Sequence, residues 1–569
     1  MKSLFRLLAI VILTGCLQAF LALPLLYEHP SLELIYGRDL FIIVGLVVLL
    51  AHTRFRKIAV WLGTISWFSI LFFELIRSVG IAAMGQDPLL YDGIFLSMHL
   101  FILMRDLMGN TATYMLIGLI AALMGTFGFT FLSLRFISKC AMREAKIYVL
   151  ILWTLFLGVE SAIDSGAVKI KGNDSAADLL VNLEESYSVW SEIGRGVSGN
   201  AYKRMNKIKL QEKPRIHIYV VESYGRTLRR KQVRKEYYDT LRDFRSRLAP
   251  LGWSMVTGLS EAPVSGGRSW LADATLLSGM LVKYESVYQH LTPSLDTLPT
   301  LPGFLKKQGY ETVLVRPKDT ARPGVELVNH FAFDHTVFSA DLHYTGKKYG
   351  WAEIPDQYTF GYLEEEVLPN VGDAPEFLFF HMASSHLPWD DLPPIADNWR
   401  DLSGSSIKVV NQAQAGLNEK EIKFQLKRYK RKENVHVRRL KPTNQNVGAY
   451  WKAIQYSLEV TFRHIESMED PPDLIIVMGD HQPPMLKNSL DFTVPVHVLA
   501  RKPKLLSEFR KKGFVKGMIP GSIKDHIFHE GFFSLLVRAL ADADKKKKPK
   551  YYRRGATLDP DTPSARVKK

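Results

Sequence analysis

Five apolar stretches in the first 163 residues restrict the fold of this 569-residue chain more than any other feature. A membrane-spanning helix needs about 20 apolar residues, and inside a bilayer only a helix or a closed barrel satisfies its own backbone groups. The second stretch is shorter than this length. The pattern predicts a transmembrane part at 1–163 with five helices, covering residues 7–26, 40–51, 58–75, 114–134 and 147–163.

The charges beside these stretches predict how the chain crosses the membrane. Basic residues such as Lys2 and Arg54 fall on one side, and acidic residues such as Glu28 and Asp87 fall on the other. By the positive-inside rule the N-terminus is cytoplasmic, so five crossings place everything after residue 163 outside the cytoplasm. We interpret the charged, apolar segment 91–107 as an interfacial or re-entrant helix. A sixth span at that segment would reverse the topology.

Charge and cysteine content narrow the classes of partner. The formal net charge of +16, from 73 basic and 57 acidic residues, favours contact with anionic surfaces such as phospholipid headgroups. Nucleic acid is the alternative partner, but no helix-turn-helix or zinc-finger pattern is present, so we expect none. The only two cysteines, Cys16 and Cys140, lie in or beside apolar stretches. The external domain therefore contains no disulfide.

The external part divides by composition. Residues 164–213 are predicted to form a linker with amphipathic helical pieces, and residues 214–543 a catalytic domain. A segment at 395–447 is rich in lysine and arginine and is predicted to be an insertion, either facing the membrane or solvated. The basic tail, 544–569, is poor in apolar residues and is expected to be disordered.

The catalytic domain alternates short apolar runs with helical patterns. This alternation predicts an α/β/α sandwich with a mainly parallel sheet, in which active residues gather beyond the C-terminal ends of the strands. The predicted strands are Ile216–Val221, 312–315, 376–380 and 474–478, and the predicted helices are 226–248, 301–308 and 450–468.

Residues that can bind a metal ion directly follow two of the predicted strands and begin one predicted helix. The first strand is followed by Glu222, and the last by Asp480 and His481. Ser269 follows two glycines at the start of an apolar helix, where free N–H groups favour an anion. A divalent ion held by Glu222, Asp480 and His481 can also bind the Ser269 oxygen and activate it, although Ser269 can equally be a simple helix cap.

Further histidines and arginines are candidate substrate contacts. His386 can bind a phosphate or protonate a leaving oxygen. His381 lies closer to its strand, and we interpret it as structural. Arg268 and Arg322, with Arg316 as a weaker candidate, can neutralise phosphate oxygens.

The motifs that contain these residues occur in a familiar order. The chain resembles sulfatase-like enzymes of the alkaline phosphatase superfamily, and with its five predicted spans it is most similar to their lipoteichoic acid synthase and phosphoglycerol transferase branch. The matching motifs are Glu222-Ser-Tyr, Gly267-Arg-Ser269, Ser385-His386-x-Pro388 and Gly479-Asp480-His481.

The resemblance implies a reaction and a set of ligands. In this branch a threonine attacks a lipid phosphodiester, keeps the headgroup as a covalent intermediate and passes it to an acceptor hydroxyl. Carried over, Glu222, Ser269, Asp480 and His481 hold one divalent ion, manganese in the first instance with magnesium or zinc as alternatives. His386 contacts the substrate. The expected location is a bacterial plasma membrane, with the catalytic domain periplasmic or extracellular.

Several residues depart from the branch pattern. Ser269 replaces threonine, Arg268 replaces lysine, and Gln482 with two prolines replaces the usual glycine after the Asp-His pair. The absence of cysteine in the external domain counts against the phosphoethanolamine transferases. The sequence after Ser269 does not match the Cys/Ser-x-Pro-x-Arg box of a sulfatase.

The function predicted from the sequence is a membrane-anchored, metal-dependent transferase with a phospho-serine intermediate. It moves a phosphoglycerol-type headgroup from a membrane phospholipid to an external glycan or glycolipid. The alternatives are a phosphodiesterase or sulfate-ester hydrolase of the same fold, a phosphoethanolamine transferase, and a membrane scaffold with a degenerate site.

Overall fold

The computed structural model divides the chain into two compact units, Met1–Ser191 and Glu192–Lys569. Apart from a few isolated positions, the structure describes residues 2–28, 36–84, 87–93, 108–141, 172–173, 175–194, 205–295, 298–321, 327–403, 444–484, 492–521, 525–541 and 548–556. The boundary between the units lies within the predicted 164–213 linker.

The described part of the N-terminal unit is mainly helical. One of its cores forms where α1–α4 pack around the buried Trp67, Leu134 and Ile137. A short parallel pair joins β1, Tyr36–Gly37, to β2, Gly172–Asn173. The helices are α1 (Lys2–Glu28), α2 (Arg38–Leu49), α3 (Arg56–Met84), α4 (Asn110–Cys140) and α5 (Ser175–Gly194).

Two stretches of the described residues are long and apolar enough to cross a membrane. They are Arg56–Ile81 in α3 and Asn110–Cys140 in α4, and they match the third and fourth predicted spans. Shorter apolar helices at Leu8–Leu21 and Asp39–Leu49 lie in the first and second predicted spans. The predicted fifth span, 147–163, lies outside the described residues, as does most of the 91–107 segment. Five crossings therefore remain a prediction.

A nine-stranded sheet forms the centre of the C-terminal unit. The strands follow the order β10-β4-β9-β8-β3-β7-β5-β6, and β11 also pairs with β4. Neighbours from β8 to β6 are parallel, whereas β9, β4 and β10 pair antiparallel. The sheet is therefore mixed and mostly parallel. The strands are β3 (Ile216–Val221), β4 (Ser254–Glu261), β5 (Glu311–Arg316), β6 (His335–Phe338), β7 (Glu376–His381), β8 (Leu474–Gly479), β9 (Thr493–Ala500), β10 (Val515–Lys516) and β11 (Ile527–Phe528).

Helices cover both faces of this sheet, as predicted for an α/β/α sandwich. On one face, Phe244 of α6 and Phe462 of α11 place their ring centroids 4.3 Å apart. On the other, Phe304 of α9 lies 6.3 Å from Phe533 of α13. The helices are α6 (Arg234–Leu248), α7 (Ser269–Ser278), α8 (Glu285–Leu291), α9 (Leu301–Lys307), α10 (Asp356–Tyr362), α11 (Asn444–Ser467), α12 (Ser507–Arg510) and α13 (His529–Leu540).

Strand register sets the position of the site. Every residue of β3 and β8 is buried, as expected for central strands covered on both faces. Val221 pairs with Gly479, and Val220 pairs with His381. The residues that follow β3, β7 and β8 therefore lie at one edge of the sheet.

The prediction that the tail is disordered is wrong for residues 548–556, which contact the domain. Lys548 Nζ lies 2.7 Å from Glu508 Oε1, and the Tyr552 amide donates to Ser534 Oγ at 3.0 Å. The Ala556 amide donates to the Gly279 carbonyl at 2.9 Å. Basic and aromatic side chains attach this segment, although it is poor in aliphatic residues.

The predicted 395–447 insertion is narrower than expected. Ala396 exchanges hydrogen bonds with the side chain of Gln357, so the first part of this segment packs on the domain. Its last residues begin α11. The lysine- and arginine-rich centre, 404–443, lies outside the described residues.

Candidate metal centre and nucleophile

Glu222 and Asp480 meet because β3 and β8 end side by side. One oxygen of Asp480, Oδ1, accepts the backbone amides of Ser223 and His481, each at 2.7 Å. These two bonds fix the orientation of the carboxylate. The other oxygen, Oδ2, is buried and has no hydrogen-bond partner among the described residues.

Ser269 lies beside this carboxylate pair at the first residue of α7. Its Oγ donates to Glu222 Oε2 at 3.1 Å and lies 3.3 Å from His481 Nε2. The backbone reaches this position through left-handed conformations at Gly266, Gly267 and Arg268 (φ 74°, 137° and 65°). Glycine adopts such angles at low cost, but arginine is strained there. The structure thus brings together the four residues predicted to hold the ion, while their roles remain predictions.

His381 also belongs to this cluster, so its interpretation as a purely structural histidine needs correction. Its Nε2 lies 3.5 Å from Glu222 Oε2 and 3.5 Å from Asp480 Oδ2. Ligand atoms of Glu222, His381 and Asp480 all lie within 4.8 Å of one another. The sequence feature that could have identified His381 is its position as the last residue of β7. In the sheet, β7 lies two strands from β8, which directly precedes Asp480.

The donors in this cluster fit a divalent metal ion. His381 Nε2 and Asp480 Oδ2 are buried polar atoms without a hydrogen-bond partner among the described residues, and both point at the same space. Such atoms are costly unless something binds them. On its other side, His381 Nδ1 lies 2.9 Å from Asp273, which gives the carboxylate–histidine pair typical of metal sites.

Lys318 is a member of the site that the sequence reasoning missed. It follows β5, and its Nζ lies 2.7 Å from Glu222 Oε2. Burial raises the pKa of Glu222, but Lys318 and then His381 more than offset burial and hold that pKa well below its usual range. Burial likewise lowers the pKa of Lys318, while Glu222 raises it above the ordinary value. Both groups are therefore charged.

Arg316 acts on the cluster through Asp273. It forms ion pairs with Asp273 and Asp319, which argues against its weaker assignment as a phosphate ligand. Burial raises the pKa of Asp273, but His381 and Arg316 outweigh burial and lower it to about 2. Asp273 is thus an anion that orients His381.

The other predicted substrate contacts have different outcomes. His386 places Nδ1 against the Leu387 carbonyl, so that nitrogen donates and Nε2 carries the lone pair. Burial lowers the pKa of His386, which favours the neutral ring. Arg268 precedes Ser269 and is largely buried. Arg322 lies outside the described residues, and its assignment stays a prediction.

Gln482, which departs from the resemblance, joins three loops around the site. Its side-chain oxygen accepts from the amide and hydroxyl of Thr227 at 3.2 and 3.0 Å, and its side-chain nitrogen donates to the Thr493 carbonyl at 2.7 Å. Its backbone carbonyl accepts the Gly266 amide at 2.9 Å and lies 2.9 Å from His481 Nδ1. His481 therefore donates from Nδ1 and presents the Nε2 lone pair to Ser269.

Comparison with known protein families assigns this domain. Residues 263–514, which include Ser269, His381 and the Asp480-His481 pair, match the sulfatase family model. Residues 263–514 therefore form a sulfatase-like domain. This confirms the superfamily part of the resemblance. No curated protein sequence matches the chain.

Several solved structures resemble this chain with low sequence identity and low TM-scores. The lipoteichoic acid synthase LtaP from Listeria monocytogenes is 16% identical, with a TM-score of 0.34 over 64% of this chain and 81% of that one. The Streptococcus pyogenes phosphoglycerol transferase GacH is 13% identical, with a TM-score of 0.33 over 65% and 89%. The C-terminal periplasmic domain of EcEptC from Escherichia coli is 14% identical, with a TM-score of 0.33 over 57% and 82%. Similarity at this level carries no information about the substrate.

Proposed function

We propose that this sulfatase-superfamily protein is a membrane-anchored, metal-dependent transferase. It moves a phosphoglycerol-type headgroup from a membrane phospholipid to an external glycan or glycolipid through a covalent intermediate on Ser269. The observation that carries this proposal is the position of Ser269 Oγ, 3.1 Å from Glu222 and 3.3 Å from His481 at a helix start. The sequence resemblance supports the choice of donor and acceptor.

The proposed metal ligands are Glu222, Asp480 and His481, together with the Ser269 oxygen and His381. A divalent ion held by these residues would stabilise the serine alkoxide and polarise a phosphoryl oxygen. Imidazole and carboxylate donors in one site suit manganese or zinc better than magnesium, which prefers oxygen ligands alone. We therefore keep manganese as the proposed ion and zinc as the principal alternative.

Two half-reactions follow from the residues around Ser269. In the first, the Ser269 Oγ–P bond forms as the bond from phosphorus to the diacylglycerol oxygen breaks. In the second, an acceptor hydroxyl attacks phosphorus and Ser269 leaves. Each half moves one proton from the attacking oxygen to the leaving oxygen. A neutral His386, with Nε2 free to accept and then donate, balances both halves.

Positive charge around the nucleophile suits a phosphate substrate. The α7 N-terminus directs backbone N–H groups and a positive dipole end toward an anion. Lys318 holds its ammonium beside Glu222, and Arg268 adjoins Ser269. These groups bind a negatively charged phosphodiester more strongly than an uncharged ester.

The membrane location is supported by apolar helices of sufficient length. An 18-residue window within α4 has a mean hydropathy of 2.1 and is almost entirely exposed in its own unit, which is the property of a lipid-facing helix. The positive charge of the chain favours anionic lipid. The N-terminus would then be cytoplasmic and the catalytic domain periplasmic or extracellular.

A headgroup-tracing assay tests the proposal. Full-length protein in vesicles with manganese receives phosphatidylglycerol labelled in its headgroup, with a glycolipid acceptor present or absent. We expect diacylglycerol release and label on the acceptor. The Ser269→Ala variant should be inactive, whereas Ser269→Thr should keep activity because a threonine hydroxyl can attack in the same way.

The other outcomes of this assay distinguish the alternatives. Label released only into water would identify a hydrolase. Transfer from labelled phosphatidylethanolamine, but not from phosphatidylglycerol, would identify a phosphoethanolamine transferase. Equal turnover by wild type and Ser269→Ala would contradict the proposed nucleophile, and absence of turnover in any arm would favour the scaffold alternative.

A further inference from the structure

Trp351 is an exposed tryptophan stacked on His386. The two ring centroids lie 5.5 Å apart with their planes inclined by 23°. The Trp351 side chain is 46% exposed, whereas Trp253, Trp389 and Trp451 in the same domain are almost wholly buried. One indole face therefore contacts the candidate proton-transfer residue while much of the ring remains open to solvent.

A strained turn holds Trp351 in this position. Tyr349 and Glu353 exchange backbone hydrogen bonds at 3.1 and 3.0 Å, and Trp351 lies between them at the tip. Gly350 and Glu353 both have left-handed backbone angles, φ 49° and 58°. A side chain at Gly350 would come within 3.5 Å of the Pro388 carbonyl, so the turn rests on the loop that contains His386. Strain of this kind concentrates at functional sites.

The surroundings of Trp351 are charged rather than apolar. Lys347, four residues before Trp351, pairs with Asp391 at 2.8 Å, and Lys348 pairs with Glu353 at 2.7 Å. All four side chains are at least 39% exposed. A lipid chain needs a continuous apolar surface, which these residues do not offer. A ligand with one apolar face and hydroxyl groups at its rim matches an indole flanked by ion pairs.

We propose that Trp351 is the acceptor subsite and that it binds a sugar ring. The C–H bonds on one face of a pyranose carry slight positive charge and pack against the negative face of the indole. The exposed Lys347 and Asp391 provide hydrogen-bond partners for its hydroxyls. A sugar stacked there lies next to His386, which receives the proton of the attacking hydroxyl. This inference rests on the proposed function and specifies its acceptor as a glycan.

Sugar binding tests the subsite without catalysis. Full-length Ser269→Ala protein in detergent, with manganese, is mixed with maltose, and saturation-transfer NMR detects contact with the sugar. In this protein we expect saturation-transfer signals from the sugar-ring protons. These signals should fall at least about fivefold when Trp351→Ala is added to Ser269→Ala. They should remain when Trp351→Phe is added instead. The matched control is Trp190→Ala, which removes a tryptophan that is 53% exposed in the N-terminal unit. Signals unchanged by Trp351→Ala, or absent from the parent protein, would overturn the proposal.

The two half-reactions provide a second readout. With Ser269 intact, Trp351→Ala should lose more in transfer to the acceptor than in formation of the headgroup adduct from phosphatidylglycerol. Its KM for a soluble glycan acceptor should rise about tenfold, while kcat stays within about threefold, since stacking contributes mainly to acceptor binding. An equal loss in adduct formation would show that Trp351 only supports His386. Absence of any adduct in the wild type would contradict the proposed function, and the maltose experiment would then decide the subsite by itself.

Discussion

At the residue scale, Glu222 is the group on which the rest of the site converges. Its carboxylate contacts the Ser269 hydroxyl, the Lys318 ammonium and the imidazoles of His381 and His481. A buried carboxylate of this kind is stable only when cations or donors surround it. Its low pKa keeps it ionised and ready to bind a metal.

His381→Ala should weaken metal binding. It removes a buried nitrogen that points at Glu222 and Asp480, and removal of even an outer-sphere partner of a metal site costs about 10- to 100-fold in affinity. We expect at least a tenfold rise in the Kd for Mn²⁺, measured by isothermal titration calorimetry on the full chain. Asp273→Asn should have a smaller effect, because the ring remains but loses its orienting anion.

The matched control for this prediction is His335→Ala, since His335 lies at the sheet edge and is 39% exposed. Its Mn²⁺ affinity should equal that of the wild type. An unchanged Kd in His381→Ala would show that His381 is structural, as the sequence alone suggested.

Individual site residues differed in how far the sequence could predict them. Glu222, Ser269 and the Asp480-His481 pair could be found because each follows a strand or begins a helix in a recognisable motif. His381 ends a strand in an otherwise apolar run and has no neighbouring metal-binding motif. Lys318 is one lysine among many, and only the fold places it beside Glu222.

At the element scale, Gln482 connects the loop after β3, the loop before α7 and the start of β9. Gln482→Ala should destabilise the domain, since it removes the hydrogen-bond acceptor of the buried Thr227 amide and hydroxyl and the donor to the Thr493 carbonyl. Each such group costs about 1–3 kcal/mol. We expect a loss of about 2–4 kcal/mol in unfolding free energy, measured by denaturant titration. Wild-type stability in this variant would show that the loops are held by other contacts.

The glycine at the end of β8 is required by close backbone packing. A Cβ at Gly479 would lie 2.0 Å from the Tyr224 carbonyl, so Gly479→Ala must displace the loop that carries Glu222. We expect loss of both Mn²⁺ binding and several degrees of Tm. Gly448→Ala is the control, because a Cβ there meets nothing within 4 Å and alanine favours the helix by up to about 1 kcal/mol. Similar Tm values for both variants would contradict this account.

Sequence patterns predicted the central elements better than the peripheral ones. β3 and β8 are continuous apolar runs, and the structure has them at the predicted positions. The predicted helix 226–248 starts only at Arg234, because the chain is extended at Arg230. β4 was missed because its sequence, Ser254–Glu261, mixes serine, threonine and glycine with apolar residues, and its pairing with β9, β10 and β11 is not visible in the sequence.

At the scale of the whole molecule, the tail attaches near a buried acid in α13. Arg554 Nη1 lies 3.6 Å from Glu530 Oε1. Burial raises the pKa of Glu530 to about 7 from its ordinary 4.5, and Arg554 offsets burial only in part. The folded protein therefore binds this proton more tightly than the unfolded chain does.

The pH dependence of stability follows from this shift. The stability contribution is fully present below about pH 4.5 and is lost as the pH rises through about 7, by about 3 kcal/mol in total. Glu530→Gln should raise the Tm at pH 8 relative to wild type and leave it nearly unchanged at pH 4.5. Scanning fluorimetry of the full chain measures both. The exposed Glu366→Gln is the control, and an identical pH slope in Glu530→Gln and wild type would disprove the assignment.

Taken as a whole, the chain combines apolar N-terminal helices with a sulfatase-like domain in which the candidate metal ligands surround one serine. The central claim is that Ser269 carries the headgroup between donor and acceptor. Peptide mass spectrometry of the full chain, quenched after incubation with phosphatidylglycerol and manganese, tests it most directly. The account predicts a glycerol-phosphate adduct on Ser269 that disappears when acceptor is added. Active turnover with Ser269 unmodified at every time point would contradict it.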